Sequence, residues 1–266
     1  MQLGISSYTY GWNVEQGMNE MGLIEKANEF GITLIQMGDN LPLHTFSNER
    51  LHVFEKALKQ SGITIELGAK GLSQQHLHQY ILLCKRFNAK ILRFIIDDSN
   101  YQPSIEEVIS VIKNEADLLD KYNITLALEN HDRLKANEYA AIIKSVNRPN
   151  VGICLDTVNS MGAGESIETI IDTLLPYTVN LHIKDFGIAR LPHKQGFIID
   201  GRIAGEGLLD ISSLLEKVKA CNRCHTCIVE QWVVPEKDYV DTILKEKLWA
   251  EKSIHYLKAL PFWGES

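Results

Sequence analysis

The chain has no excess of positive charge, no long apolar run and no phosphate-binding glycine loop, and each absence excludes a class of function. Its 27 Lys and Arg stand against 34 Asp and Glu, a formal net charge of −7. Non-specific nucleic-acid binding needs a basic surface, so nucleic acid is not expected as a partner. No segment approaches the roughly 20 apolar residues of a membrane-spanning helix, so no membrane partner is expected either. Residues Met1–Tyr10 lack the basic start and apolar stretch of a secretory signal, and read as a strand. The expected location is cytoplasmic, where the five cysteines stay reduced. Gly162-Ala-Gly164 and Gly205-Glu-Gly207 match neither a Walker loop nor a dinucleotide fingerprint, and read as turns. No linker or low-complexity run divides the chain.

What the sequence does contain is alternation. Strand-like segments lie near Leu3–Tyr8, Thr33–Met37, Thr64–Leu67, Lys90–Ile96, Ile124–Glu129, Val151–Asp156, Thr178–Ile183 and Thr226–Trp232. Between and after them run helical patterns near Gly22–Phe30, Asn48–Gln60, Gln74–Phe87, Ser104–Tyr122, Ala136–Val146, Ser166–Leu175, Asp210–Ala220 and Tyr239–Leu260. Gly31, Gly62, Pro149, Pro176 and Pro261 stop helices, and Ser104-Ile-Glu-Glu107 has the spacing of an N-terminal capping box. Lys184–Gly207 shows no clear period and reads as a functional or mobile loop. Strands alternating with helices form parallel sheets, and eight such units fit one (β/α)₈ TIM barrel spanning residues 1–266. An open doubly wound sheet would carry a glycine-rich turn after its first strand, and Ser6–Trp12 is not one.

In a barrel the site lies at the C-terminal ends of the strands. Ile124-Thr-Leu-Ala-Leu-Glu-Asn-His131 runs apolar and then delivers Glu129 without transition. A carboxylate ending a buried strand is costly unless something compensates for it. Three later strands end in the same manner, with Asp156, His182 and Glu230. Three carboxylates brought together repel one another, and one divalent cation removes the conflict. The oxygen and nitrogen donors suit Mn²⁺, Mg²⁺, Co²⁺ or Zn²⁺, and the donor types do not choose among them.

The segments Leu128-Glu-Asn-His131, Cys154-Leu-Asp-Thr157, Leu181-His-Ile-Lys-Asp185, Gly205-Glu-Gly207 and Val229-Glu230 resemble the xylose-isomerase-like superfamily of sugar isomerases and epimerases. Its relatives include ketose 3-epimerases, hydroxypyruvate isomerase, inosose dehydratase, dehydroshikimate dehydratase and endonuclease IV. The resemblance implies that Glu129, Asp156, His182 and Glu230 bind the metal. It further implies that Glu129 and Glu230 are the catalytic acid–base pair. A metal on a carbonyl and its neighbouring hydroxyl stabilises an enediolate, and a carboxylate on each face moves the proton. The leading expectation is therefore a metal-dependent isomerase or epimerase acting on a small polyhydroxy carbonyl compound. The alternative is a lyase on the same site, a dehydratase or decarboxylase of a keto sugar or keto sugar acid. Two departures set the chain apart from the ketose 3-epimerases, and Asn159 together with Lys184 tilts the reading toward the alternative. Asn159 stands where the epimerases carry a histidine, and the arginine they carry after the strand-seven histidine falls here on Ile188, with Arg190 out of register.

Further substrate-binding candidates follow from position. Lys184 follows His182 closely and can hold a substrate carboxylate or oxyanion, with Asp185 orienting it. Arg93 lies inside an apolar strand, where an unpaired charge is not expected, and Lys70 lies just past a strand. Two such cations facing the metal would favour an acidic substrate. Asn159, His131, Gln36 and Glu206 are expected to contact substrate, Glu206 when the long loop closes. Tyr8, Trp12, Phe186 and Trp232 read first as core and second as pocket wall. Cys221-Asn-Arg-Cys224-His225 has the spacing of a c-type haem attachment site, but it falls at the barrel's opposite face and reads as structural. The long C-terminal helix offers a surface for forming a homo-oligomer.

Overall fold

A computed structural model describes residues 1–264. Eight parallel strands close a barrel: β1 Gln2–Ser6, β2 Leu34–Met37, β3 Thr64–Lys70, β4 Ile91–Ile95, β5 Thr125–Glu129, β6 Val151–Asp156, β7 Thr178–Ile183 and β10 Thr226–Val229. The remaining two, β8 Asp185–Arg190 and β9 Phe197–Arg202, form a separate antiparallel hairpin. The chain is thus a (β/α)₈ TIM barrel, with β10 closing the ring between β7 and β1. Apolar runs such as Leu126-Ala-Leu128 and Ile153-Cys-Leu155 are fully buried, as strands covered on both faces must be.

Local chemistry sets the element ends. Ser47, Ser73, Ser104 and Ser166 cap four helices, each hydroxyl accepting a backbone N–H from the first turn. Gly62 ends the helix Asn48–Ser61 at φ 67°, in the left-handed region that glycine tolerates. Asn88, Asn123, Asn147 and Asn222 end four other helices in the same conformation, at φ between 49° and 54°. Asparagine is the usual substitute for glycine there, so these stops were present in the sequence alongside the glycine and proline signals.

Three expectations need correction. The first strand stops at Ser6 rather than Tyr8, because the Ser6 hydroxyl accepts the Tyr8 N–H and the Ser6 N–H reaches Thr9, winding Ser7–Tyr10 into a 3₁₀ turn. The last barrel strand ends at Val229 rather than Trp232, although the Glu230 N–H still donates to the Ile183 carbonyl at 3.0 Å. Lys184–Gly207, expected as an irregular loop, contains the β8–β9 hairpin. Asp185 anchors this segment: its carboxylate accepts the backbone N–H groups of Phe186, Gly205, Gly207 and Leu209 at 2.8–3.1 Å. A Cβ at residue 207 would lie 2.0 Å from Asp185 Oδ1, so that position requires glycine.

No helix of the described residues is long and apolar enough to cross a membrane.

Candidate metal centre and active site

Four successive barrel strands, β5, β6, β7 and β10, deliver Glu129, Asp156, His182 and Glu230 to one mouth. Register aligns them, with Asp156 opposite His182 and Glu129 opposite Cys154. One donor atom from each of the four lies within 4.8 Å of the others, and all four residues are buried. Nδ1 of His182 lies 3.5 Å from Oε1 of Glu230 and 3.9 Å from Oε1 of Glu129.

The donors suit a cation. Both ring nitrogens of His182, Oε2 of Glu129 and Oδ2 of Asp156 are buried without a hydrogen-bond partner. Buried polar atoms are rarely left so, and one donor atom from each of the four residues gathered within 4.8 Å of the others fits a metal ion. The two carboxylate oxygens do have cations nearby, as close ion pairs. Nε of Arg93 is 2.9 Å from Oε2 of Glu129, and Nζ of Lys184 is 2.8 Å from Oδ2 of Asp156.

The other oxygens are fixed by neighbours. Asp156 Oδ1 accepts the backbone N–H groups of Val158 and Asn159, both at 2.8 Å. Asn159 Nδ2 donates to Glu129 Oε1 at 2.8 Å, and the Ser6 hydroxyl donates to Glu230 Oε1 at 2.9 Å. Lys184 Nζ also lies 3.0 Å from Glu230 Oε2. Burial alone would raise the Glu230 carboxyl, but His182, Lys184 and Arg93 outweigh it and hold it well below the usual carboxylate range. Burial likewise opposes charge on His182 and Lys184, and the surrounding carboxylates overcome it, raising both.

The structure brings Lys184, Asn159 and Arg93 to the four clustered residues. It commits the polar atoms of the other candidates elsewhere. Asp185 turns to the loop backbone rather than orienting Lys184. Gln36 points into the barrel, donating to Glu66 and Asn180. His131 pairs through Nδ1 with Asp132 at 2.7 Å and is partly exposed. Glu206 stands exposed on a turn. Lys70 pairs with Asp39 at 3.2 Å. Phe186 is core, whereas Tyr8 donates its hydroxyl to Asp39. The cysteines of the Cys221–Cys227 segment are free thiols, Cys224 and Cys227 buried.

Asp39 and Ser6 were missed as site residues. Asp39 is buried against Arg93 at 3.1 Å and belongs to the charge network of the mouth. Its signal was available, a carboxylate two residues past a strand end. Ser6 gave none, because a serine ending a strand is unremarkable until its partner is known.

A family model described as a xylose isomerase-like TIM barrel matches residues 24–260. The chain is 29% identical over 261 residues to the 3-oxo-isoapionate decarboxylase of Pectobacterium atrosepticum, covering 97% of this chain and 95% of that one. Among solved structures it is similar to D-psicose 3-epimerase with D-tagatose from Clostridium cellulolyticum H10, with a TM-score of 0.73, 15% identity and 97% of both chains covered. It is also similar to the IOLI protein with a bound zinc atom, with a TM-score of 0.70, 18% identity and all of both chains covered. At these identities the two structures show the shared fold.

Proposed function

Because the chain belongs to the xylose isomerase-like TIM barrel family, we propose that it is a metal-dependent lyase that removes carbon dioxide from a 3-oxo sugar acid. The observation that carries this reading is the Lys184 ammonium, lying between Asp156 and Glu230 at 2.8 and 3.0 Å. Glu129, Asp156, His182 and Glu230 would hold a divalent cation, which when bound would supply a Lewis acid for a 3-oxo group. Mn²⁺ is the first choice among the cations that suit oxygen and imidazole donors without sulfur. Lys184 is placed to hold the substrate carboxylate beside that group and orient the bond to be broken. Arg93 and Asn159 fix Glu129. After carbon dioxide leaves, the carbon it left takes one proton from an exchangeable group.

Epimerisation makes a different demand. It needs a free base on each face of the carbon to remove and return a proton. Glu129 is tied by Asn159 and Arg93, and Glu230 by Ser6 and Lys184. The cations beside Glu230 hold its carboxyl low, so Glu230 is a weak base. Decarboxylation of a 3-oxo acid needs no proton abstracted from carbon, so the order of preference drawn from sequence is reversed. The name of the Pectobacterium relative, a decarboxylase of a 3-oxo acid, supports the same choice. Isomerase or epimerase activity remains the second reading, favoured by the pair of glutamates. On the final helix, Val240, Leu244 and Leu248 form an exposed apolar stripe that supports association between copies.

The test is carbon dioxide release from a panel of 3-oxo sugar acids by metal-loaded protein, with neutral ketoses and inososes in parallel. Release from the acids supports the reading. Conversion of the neutral sugars alone contradicts it.

A further inference from the structure

Beneath the ligands the barrel interior is polar rather than apolar. Asn180 lies two residues before His182 on β7, so both side chains point to the same face. Asn180 Nδ2 donates to Glu66 Oε2 at 3.0 Å and to Thr226 Oγ1 at 2.8 Å. Its Oδ1 accepts from Gln36 Nε2 at 3.2 Å and from the Cys154 thiol at 3.1 Å. Gln36 Nε2 also donates to Glu66 Oε2 at 3.0 Å. Gln36 and Asn180 are fully buried and Glu66 is 3% exposed. No lysine or arginine pairs with Glu66 among the described residues. This layer plays no part in the reaction derived above.

The layer has two acceptors to spare. Oε1 of Gln36 and Oε1 of Glu66 are buried without a hydrogen-bond partner. Above them His182 has a matching need. A neutral imidazole carries one N–H and one lone pair. Nδ1 is the nitrogen that faces Glu230 and Glu129. With its lone pair given to a cation there, the proton sits on Nε2, which is buried and also unpartnered. Leaving that N–H unsatisfied carries the full cost of its desolvation. Metal-bound histidines generally give their second N–H to a carboxylate, a carbonyl or water. Glu66 also senses His182 electrostatically: burial raises its carboxyl, and His182 is among the groups that pull it back down.

We infer that Glu66, supported by Gln36 and Asn180, receives the Nε2–H of His182 directly or through one water and positions that ring as a metal ligand. The inference rests on the reading of His182 as a ligand in the proposed metal centre, and it assigns Glu66 a positioning role, with no contact to substrate. It also explains a buried acid without a counter-cation. Glu66 Oε2 takes two donors and Oε1 takes the third. Glutamine cannot replace it without loss, because its amide nitrogen must face either the Gln36 and Asn180 donors or the imidazole N–H.

The experiment is titration of the metal-free protein with Co²⁺, following the visible absorption of the bound ion and competing it against a chelator. Glu66→Gln is expected to weaken Co²⁺ binding by about 10–100-fold and to shift the Co²⁺ band, which a purely structural role would leave in place. Thermal unfolding of the metal-free variant confirms that it is folded. If Glu66→Gln does not fold, Gln36→Met is read by the same titration, with a weaker site and a shifted band expected. A folded variant that binds Co²⁺ within about twofold of wild type, with an unchanged spectrum, overturns the inference while leaving the metal centre intact. A wild type that binds no Co²⁺ overturns both.

Discussion

Nζ of Lys184 lies 2.8 Å from Oδ2 of Asp156, inside the group of carboxylates that the strand ends bring together. A buried carboxylate cluster needs positive charge, and Lys184 and Arg93 provide it before any metal binds. Lys184 is thus counter-ion to the clustered carboxylates, and in the proposed reaction it would also hold the substrate carboxylate.

Those duties separate in Lys184→Met. Removing one partner of a buried ion pair typically costs about 3–5 kcal/mol. Denaturant unfolding of the metal-free variant is expected to show a loss of about that size. Added Mn²⁺ should recover much of it, because the metal replaces the missing charge. Turnover of a 3-oxo sugar acid should fall at least tenfold in the metal-loaded variant, with KM raised.

Cation binding should stabilise the fold. At a free cation concentration of about 100 times Kd, linkage gives about 2.7 kcal/mol, a rise of roughly 5–10 °C in the melting temperature for a chain of this size. Calorimetry with and without a chelator measures it. Asp156→Ala should abolish the rise, and an equal rise in that variant would remove Asp156 from the ligand set.

The metal should bind more tightly as pH rises. His182 is raised above its ordinary value of 6.5, with burial opposing the shift and Glu230 and Glu129 driving it. In the metal-free protein the charged ring contributes stability that is fully present below about pH 6.5 and lost as pH rises through the higher folded value. A cation competes with that proton. Affinity measured from pH 6 upward should therefore climb through and beyond the ordinary histidine range, and an affinity flat across it would contradict ligation by His182.

Asn159→Ala removes the hydrogen bond to Glu129 Oε1. A hydrogen bond to a charged group contributes about 1.5–3 kcal/mol, so kcat/KM should fall by roughly 10–100-fold while the four ligands still bind metal. Unchanged kcat/KM would leave Asn159 without a role in fixing Glu129.

The hairpin depends on Asp185. Its carboxylate collects four backbone N–H groups, and Asp185→Ala leaves them without an acceptor. Limited proteolysis should then cut within residues 190–200 far faster than in wild type. Gly207→Ala should act in the same direction, because its Cβ meets the same carboxylate.

The barrel was legible because buried strands read as short apolar runs and helices as 3.6-residue periods. The cluster of four was legible for a related reason. Glu129 and Asp156 end their strands, Glu230 stands just past β10 and His182 is one residue short of the end of β7, which is where a barrel opens. The hairpin was not legible, because the segment from Ile188 to Ile199 is largely exposed, so no buried face imposes a two-residue period there. Asp185 was misread for the same reason. Its adjacency to Lys184 suggested a shared task, but successive side chains on an extended segment point to opposite sides. Gln36 was placed at a strand end and assigned to substrate, whereas its amide turns down into the barrel. Glu66 went unnoticed, since an acid inside a strand gives no sign of its partners, which come from β2 and β7.

The most direct test is mass spectrometry of the metal-loaded protein acting on a 3-oxo sugar acid in D₂O. The account predicts a product lighter by one carbon dioxide, carrying one deuterium on the carbon that lost it, formed only with the divalent cation present and not by Asp156→Ala. An acid returned at its original carbon count with deuterium next to the carbonyl would contradict it and restore the epimerase reading.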